Sequence, residues 1–200
     1  IASITPIIAN VYPNGTADVN EFHKSGGVAA FIGSLLDGGY LFDDVQTLLG
    51  YGLGVYRNKL EIQDESLIWK DKSIILDQSI IRDINNPFRQ TGGLKLMNGN
   101  LGKGVIKTSA LKNPDKVIKA HAVVFDDQDD VLKAFNEGEL NKDLIIVVRG
   151  QGPSANGMPE LHKLTSPLNV LQSKGFDIAI ITDGRMSGAS GSVPAVIHIT

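Results

Sequence analysis

The sequence predicts an α/β protein, and three observations carry the prediction. After Gly93 the chain holds apolar, β-branched runs at Gly104 to Thr108, Val117 to Phe125, Leu144 to Val148, Ile178 to Thr182 and Val193 to Ile199, parted by turn residues. Helical patterns intervene at Asp129 to Phe135 and Pro167 to Ser173. Two of the apolar runs break into glycine-rich polar segments, as strands do where an α/β sheet meets a ligand. Such an alternation suits a doubly wound sheet or a compact barrel with peripheral helices, and the pattern alone does not choose between them.

From the amino end, Asp18 followed three residues later by Glu21 is a capping-box arrangement, with Asp in place of Ser or Thr. Phe22, Val28, Phe31, Ile32, Leu35 and Leu36 then recur near helical spacing. Gly26-Gly27 interrupts them, and each glycine inside a helix costs about 1 kcal/mol relative to alanine. Either the helix divides there, or another backbone or a ligand lies very close. Asp43 to Leu49 reads as a short second helix capped by Phe42-Asp43, and Gly50-Tyr51-Gly52-Leu53-Gly54 breaks regular structure again. Residues 55 to 90 alternate short apolar pieces with charges; Trp69 reads as a packing residue and His23 as a surface one. Pro87 and Gly92-Gly93 mark a boundary. Beyond it, Asp127 is the candidate cap of the helix at Asp129, and the acidic run Asp126-Asp127-Gln128-Asp129-Asp130 reads as a solvated helix start that complements the macrodipole rather than as a metal site.

Composition narrows the function. The chain has 200 residues, 42% hydrophobic and 20% charged, which suits one globular domain or one domain with part of another. A net charge of -3 without a Lys/Arg cluster gives no footprint for nucleic acid. No apolar run approaches the roughly 20 residues of a membrane helix, and Ile1 to Ala9 lacks the basic flank and length of a secretory signal, so a soluble, cytoplasmic protein is expected. The absence of cysteine excludes disulfides and any thiolate site built by this chain alone.

The chemistry concentrates in the two polar segments. Leu144 to Val148 runs into Arg149-Gly150-Gln151-Gly152-Pro153-Ser154-Ala155-Asn156-Gly157-Met158-Pro159-Glu160, and Ile178 to Ile181 runs into Thr182-Asp183-Gly184-Arg185-Met186-Ser187-Gly188-Ala189-Ser190-Gly191. Glycines let backbone N–H groups approach a ligand. A carboxylate (Glu160), a cation (Arg149) and a hydroxyl (Ser187) brought together make a coherent polar set, whereas on spacing alone each segment is also an ordinary Gly/Ser-rich turn. Ser154, Asn156 and Thr182 stand where they either bond substrate or satisfy the loop backbone. Arg149 is a partner for a phosphate or for an acid such as Asp183, which itself is placed to shape the turn; Lys103 and Lys107 near Asn100 are further cations within possible reach of an anion. His162 and His198 receive no role.

These segments, Arg149 to Pro153 with Gly157 to Glu160 and Thr182 to Gly188, resemble the paired C-terminal signatures of the dihydroxy-acid and 6-phosphogluconate dehydratase family. Asn98-Gly99-Asn100-Leu101-Gly102 with Val105-Ile106-Lys107, the acidic turn Phe125 to Asp130, and Tyr12 to Asp18 with Gly26-Gly27-Val28 extend the likeness over nearly the whole chain. Gln151, Met186 and Tyr12-Pro13-Asn14-Gly15 resemble the 6-phosphogluconate branch.

The resemblance implies a swivelling β/β/α barrel domain at 93–200, a junction at 61–92 and the end of an α/β cluster-binding domain at 1–60. It implies a hydro-lyase in which an iron-sulfur cluster takes the leaving hydroxyl, magnesium or a similar cation holds the substrate carboxylate, and a serine alkoxide removes the proton. Carried over residue by residue, the base is Ser187, the magnesium ligand is Glu160, and the substrate-binding candidates are Arg149, Ser154, Asn156, Thr182 and Arg185; Arg185 and the N–H of Gly188 are also candidates to activate Ser187. The family also implies a homodimer and a sugar-acid phosphate as substrate. Because the family's cluster cysteines are absent, the chain is expected to be part of a longer enzyme and inactive alone. Alternatives are a dihydroxy-acid or aldonic-acid dehydratase, and a binding or dimerisation module without a cluster domain.

Overall fold

The computed structural model describes residues 1–109, 111, 113–187 and 192–200. The chain forms two compact units, Ile1–Gly92 and Gly93–Thr200.

The first unit contains α1 (Val19–Lys24), α2 (Gly27–Asp37), the short hairpin β1 (Gln46–Thr47) and β2 (Gly50–Tyr51), and the hairpin β3 (Asn58–Gln63) and β4 (Ser66–Lys72). The capping box forms: the Asp18 carboxylate accepts from the N–H of Glu21, and the Glu21 carboxylate accepts from the N–H of Asp18, both at 2.8 Å. Both readings of Gly26-Gly27 hold at once. The helix divides there, with φ of 119° at Gly26 and 58° at Gly27, and a Cβ on Gly26 would stand 2.4 Å from the Ile74 carbonyl oxygen.

The helix expected at Asp43 to Leu49 does not form. Asp43 and Thr47 spend their oxygens elsewhere: Asp43 accepts from the N–H of Leu53, and Thr47 Oγ1 accepts from the N–H of Leu49 while donating to the Gly50 carbonyl. Side chains that bond nearby backbone in this way favour turns over helix. Within 55–90, β3 and β4 pair antiparallel around Asp64 and Glu65, which take φ of 51° and 60°, the positive angles a tight hairpin needs. Trp69 packs edge-on to Tyr56, ring centroids 6.2 Å apart.

The second unit contains β5 (Leu94–Gly99), β6 (Gly102–Lys107), β7 (His121–Phe125), α3 (Gln128–Asn136), β8 (Leu144–Val148), α4 (Pro153–Asn156), α5 (Thr165–Ser173), β9 (Ile178–Thr182) and β10 (Ala195–Ile197). β5 lies where no strand was expected, and the runs starting at Val117 and Val193 yield shorter strands than their apolar stretches suggest. Asp127 caps α3 through the N–H of Asp129.

One mixed sheet runs in the order β5-β6-β10-β9-β8-β7. β7, β8, β9 and β10 are parallel, and the β5-β6 hairpin joins antiparallel through β6. The barrel implied by resemblance is not seen closed among the described residues: β5 and β7 stand at opposite ends of this order, and closure requires the two edges to bond.

The register explains where the polar loops emerge. Phe125 is level with Val148, and Val148 with Thr182. Three parallel strands therefore end on one line, and Asp126, Arg149 and Asp183 are the next residue of each. Beneath them, Leu144, Ile146 and Val148 of β8 and Ile178 and Ile180 of β9 are fully buried with Val131, Leu164, Leu168 and Leu171 in one core cluster, while Ile145, Val147 and Ile181 on the opposite face are only half-buried.

Candidate active site

The two polar loops meet at two places. Close to the strands, the Asp183 carboxylate accepts from two successive backbone N–H groups, Gln151 at 3.0 Å and Gly152 at 2.9 Å. Contact is close on both sides: a Cβ on Gly152 would lie 3.1 Å from Asp183 Oδ2, and one on Gly184 would lie 2.7 Å from the Gln151 Cβ. Farther out, Glu160 and Arg185 form a parallel bridge, the N–H of Leu161 donates to the Arg185 carbonyl at 3.2 Å, and Arg185 Nε donates to the Met158 carbonyl at 3.0 Å.

This second junction brings Glu160 and Ser187 together. The N–H of Ser187 donates to Glu160 Oε1 at 2.7 Å, and the Arg185 guanidinium stands 3.8 Å from Glu160 Oε2. Ser187 is half-buried, and the Glu160 side chain remains 38% exposed. A carboxylate oxygen is a hard donor suited to magnesium, which keeps several waters and takes few protein ligands. Among the described residues no group of three or more His, Cys, Asp or Glu gathers to hold a metal.

The remaining candidates divide by what their side chains touch. Arg149 pairs with Asp126, not with Asp183, through Nε to Oδ1 and Nη2 to Oδ2. That hydrogen-bonded guanidinium holds the Asp126 carboxyl below the usual carboxylate range and raises Arg149 in turn. Thr182 is buried, its hydroxyl accepting from the N–H of Gly184 at 2.9 Å, and Asn156 donates to the Gln151 side chain at 3.2 Å. Ser154 is exposed on α4. Lys103 sits at the Asn100 end of β6 and Lys107 at the other, so they do not converge on Asn100. Gly188 and Ser190 lie outside the described residues.

Gln151 has a structural role that sequence reasoning passed over. It is 1% exposed, and its amide is fully engaged, donating to the carbonyls of Asp126 and Arg149 and accepting from Asn156. Only an amide can donate to two carbonyls while accepting from a third group. A run of glycines around one glutamine was the available signal.

Residues 79–200 match the family model for dihydroxy-acid/6-phosphogluconate dehydratase C-terminal regions, and residues 1–56 match the corresponding N-terminal model. The chain belongs to the dihydroxy-acid/6-phosphogluconate dehydratase family. It is 50% identical over 201 residues to a phosphogluconate dehydratase of Pseudomonas aeruginosa and 48% identical over 203 residues to that of Escherichia coli, covering 100% of this chain and 33% of each relative. Against a dihydroxy-acid dehydratase of Ignicoccus hospitalis the identity is 31% over 205 residues, 100% of this chain and 34% of the relative. The chain thus spans about a third of the length of the curated relatives it matches. Members of this family use an iron-sulfur cluster and magnesium; with no cysteine, this chain offers a cluster no thiolate.

Proposed function

We propose that this chain carries the serine and glutamate loops of a hydro-lyase that converts 6-phosphogluconate to 2-keto-3-deoxy-6-phosphogluconate, the dehydration of an Entner-Doudoroff pathway. The observation that carries the reading is the 2.7 Å hydrogen bond from the Ser187 N–H to Glu160, which unites the two residues the family motif singles out. Identity to phosphogluconate dehydratases near 50%, against 31% to a dihydroxy-acid dehydratase, supports the substrate. The open sheet is read as part of the family's swivelling β/β/α domain.

The reaction removes a weakly acidic proton beside a carboxylate and loses hydroxide from the next carbon. Ser187 Oγ takes the C2 proton. A serine hydroxyl is too weakly acidic for this without neighbouring positive charge, and Arg185, two residues away on the same loop, supplies some of it. Glu160 holds the Ser187 backbone with one oxygen, which sets where the hydroxyl is presented. A divalent cation bound at the other oxygen would supply further charge for a substrate carboxylate. Departure of the hydroxide is not assigned to any residue of this chain.

The test is a direct comparison of substrates. The full-length protein, assayed for 2-keto acid release with 6-phosphogluconate, a branched 2,3-dihydroxy acid and an unphosphorylated aldonic acid, should show its highest kcat/KM with 6-phosphogluconate. Preference for either rival acid, or turnover of none by cluster-replete, magnesium-supplied protein, would refute the proposal.

A further inference from the structure

We infer that Asp183 is a positioning residue: its carboxylate clasps the Glu160 loop and thereby sets where Ser187 is presented. The inference rests on the roles proposed above for Ser187 and Glu160 and adds a residue to them. Asp183 follows directly on β9, at the level where β8 releases Arg149. From there its Oδ1 takes the N–H of Gln151 at 3.0 Å and its Oδ2 the N–H of Gly152 at 2.9 Å. Ionised carboxylates accept such bonds more strongly than neutral oxygens.

The clasp is built from both sides. Gly152 leaves room for Asp183 Oδ2, Gly184 leaves room for the Gln151 side chain, and the Thr182 hydroxyl accepts from the N–H of Gly184. The N–H of His198 donates to the Gly184 carbonyl at 3.0 Å and so ties the far side of the turn to the segment after β10. Asp183 is thereby fixed before the chain reaches Arg185 and Ser187. The Glu160 loop, once held at Gln151 and Gly152, passes through α4 and returns to Ser187 at Glu160. The contacts around Glu160 and Arg185 join the outer ends of the two loops, and the Asp183 carboxylate joins them again close to the strands, so each loop is held at both ends.

Asp183→Asn is the direct test. Asparagine keeps the volume and one acceptor but loses the charge and places an NH₂ against a backbone N–H: with its oxygen at the Oδ2 position, which already lies 3.1 Å from the Gln151 N and 2.9 Å from the Gly152 N, the NH₂ faces the Gln151 N–H donor. In the full-length protein kcat should fall by about 10- to 100-fold, since a misplacement on the order of 1 Å costs about that much. KM for 6-phosphogluconate should stay within about twofold, the signature of an interaction that matters in the transition state rather than in binding. Melting temperature should move by no more than about 4 °C. Gly152→Ala, which crowds Asp183 Oδ2 from the other loop, should show the same split and carries the test if Asp183→Asn does not accumulate folded.

Normal kcat in the variants, a rise in KM at unchanged kcat, or a loss matching only the fraction unfolded would overturn the inference. Ser187→Ala measured alongside separates the two levels. Loss of kcat there with normal kcat in the Asp183 and Gly152 variants sinks the positioning role alone; normal kcat in Ser187→Ala sinks both.

Discussion

Glu160 Oε1 holds the Ser187 N–H, its other oxygen is the one proposed for a cation, and a single substitution parts the two roles. In Glu160→Gln the amide oxygen still accepts the Ser187 N–H, while the charge offered to a cation is gone. The full-length variant should fold with an unchanged melting temperature and require more magnesium for half-maximal activity, read by titrating the metal. An unchanged magnesium requirement would make Glu160 a loop residue only. At this scale the site was partly legible. Ser187 and Glu160 stand out only through the family motifs that their two Gly-rich segments resemble. The Asp126–Arg149 pair and the Gln151 hub do not, because their partners lie 23 and 25 residues away and any acid or carbonyl at a strand end would have served the pattern equally. Arg149 shows the consequence: Asp183 looked like its partner, but the backbone N–H groups of Gln151 and Gly152 had already claimed that carboxylate.

Among the elements, legibility followed how local the determining interaction is. The capping box of α1, the cap of α3 and the strands Leu144–Val148 and Ile178–Thr182 formed at the expected places because neighbouring residues suffice to define them. The Asp43 segment failed for the opposite reason, its cap residue bonding ten positions onward. β5 was missed because Leu94 to Gly99 is exposed throughout and gains its order only by pairing with β6.

The same reasoning sorts the core of the sheet. Ile146 is fully buried on the face that packs with α3 and α5, whereas Ile145 is half-buried on the other. Ile146→Ala should destabilise the second unit by about 2–5 kcal/mol, the range for large-to-small changes in a packed core, and Ile145→Ala by clearly less. Denaturant unfolding of the two variants checks this; equal losses would mean that the two faces are equally covered.

At the scale of the molecule, the strand register matters more than any single loop. Three parallel strands ending level deliver Asp126, Arg149 and Asp183 together, the loops then fold against each other, and Glu160 meets Ser187 at their far end. The α/β class and the second unit's strand-rich texture were readable from periodicity. Sheet order was not, since it depends on which edges pair, and the described strands form one mixed sheet in which β5 and β7 are the two edges.

The central claim is that this assembly exists to present one serine to one substrate proton. Ser187→Ala in the full-length protein tests it most directly, with Ser190→Ala from the same Gly/Ser-rich segment of the sequence as the control. Removing a positioned base should cost about 10² to 10⁴ in kcat, with melting temperature unchanged and with loss of solvent exchange of deuterium at the substrate C2, while Ser190→Ala does much less. Near-normal kcat in Ser187→Ala, or equal losses in the two variants, would contradict the account and leave the loop a structural turn.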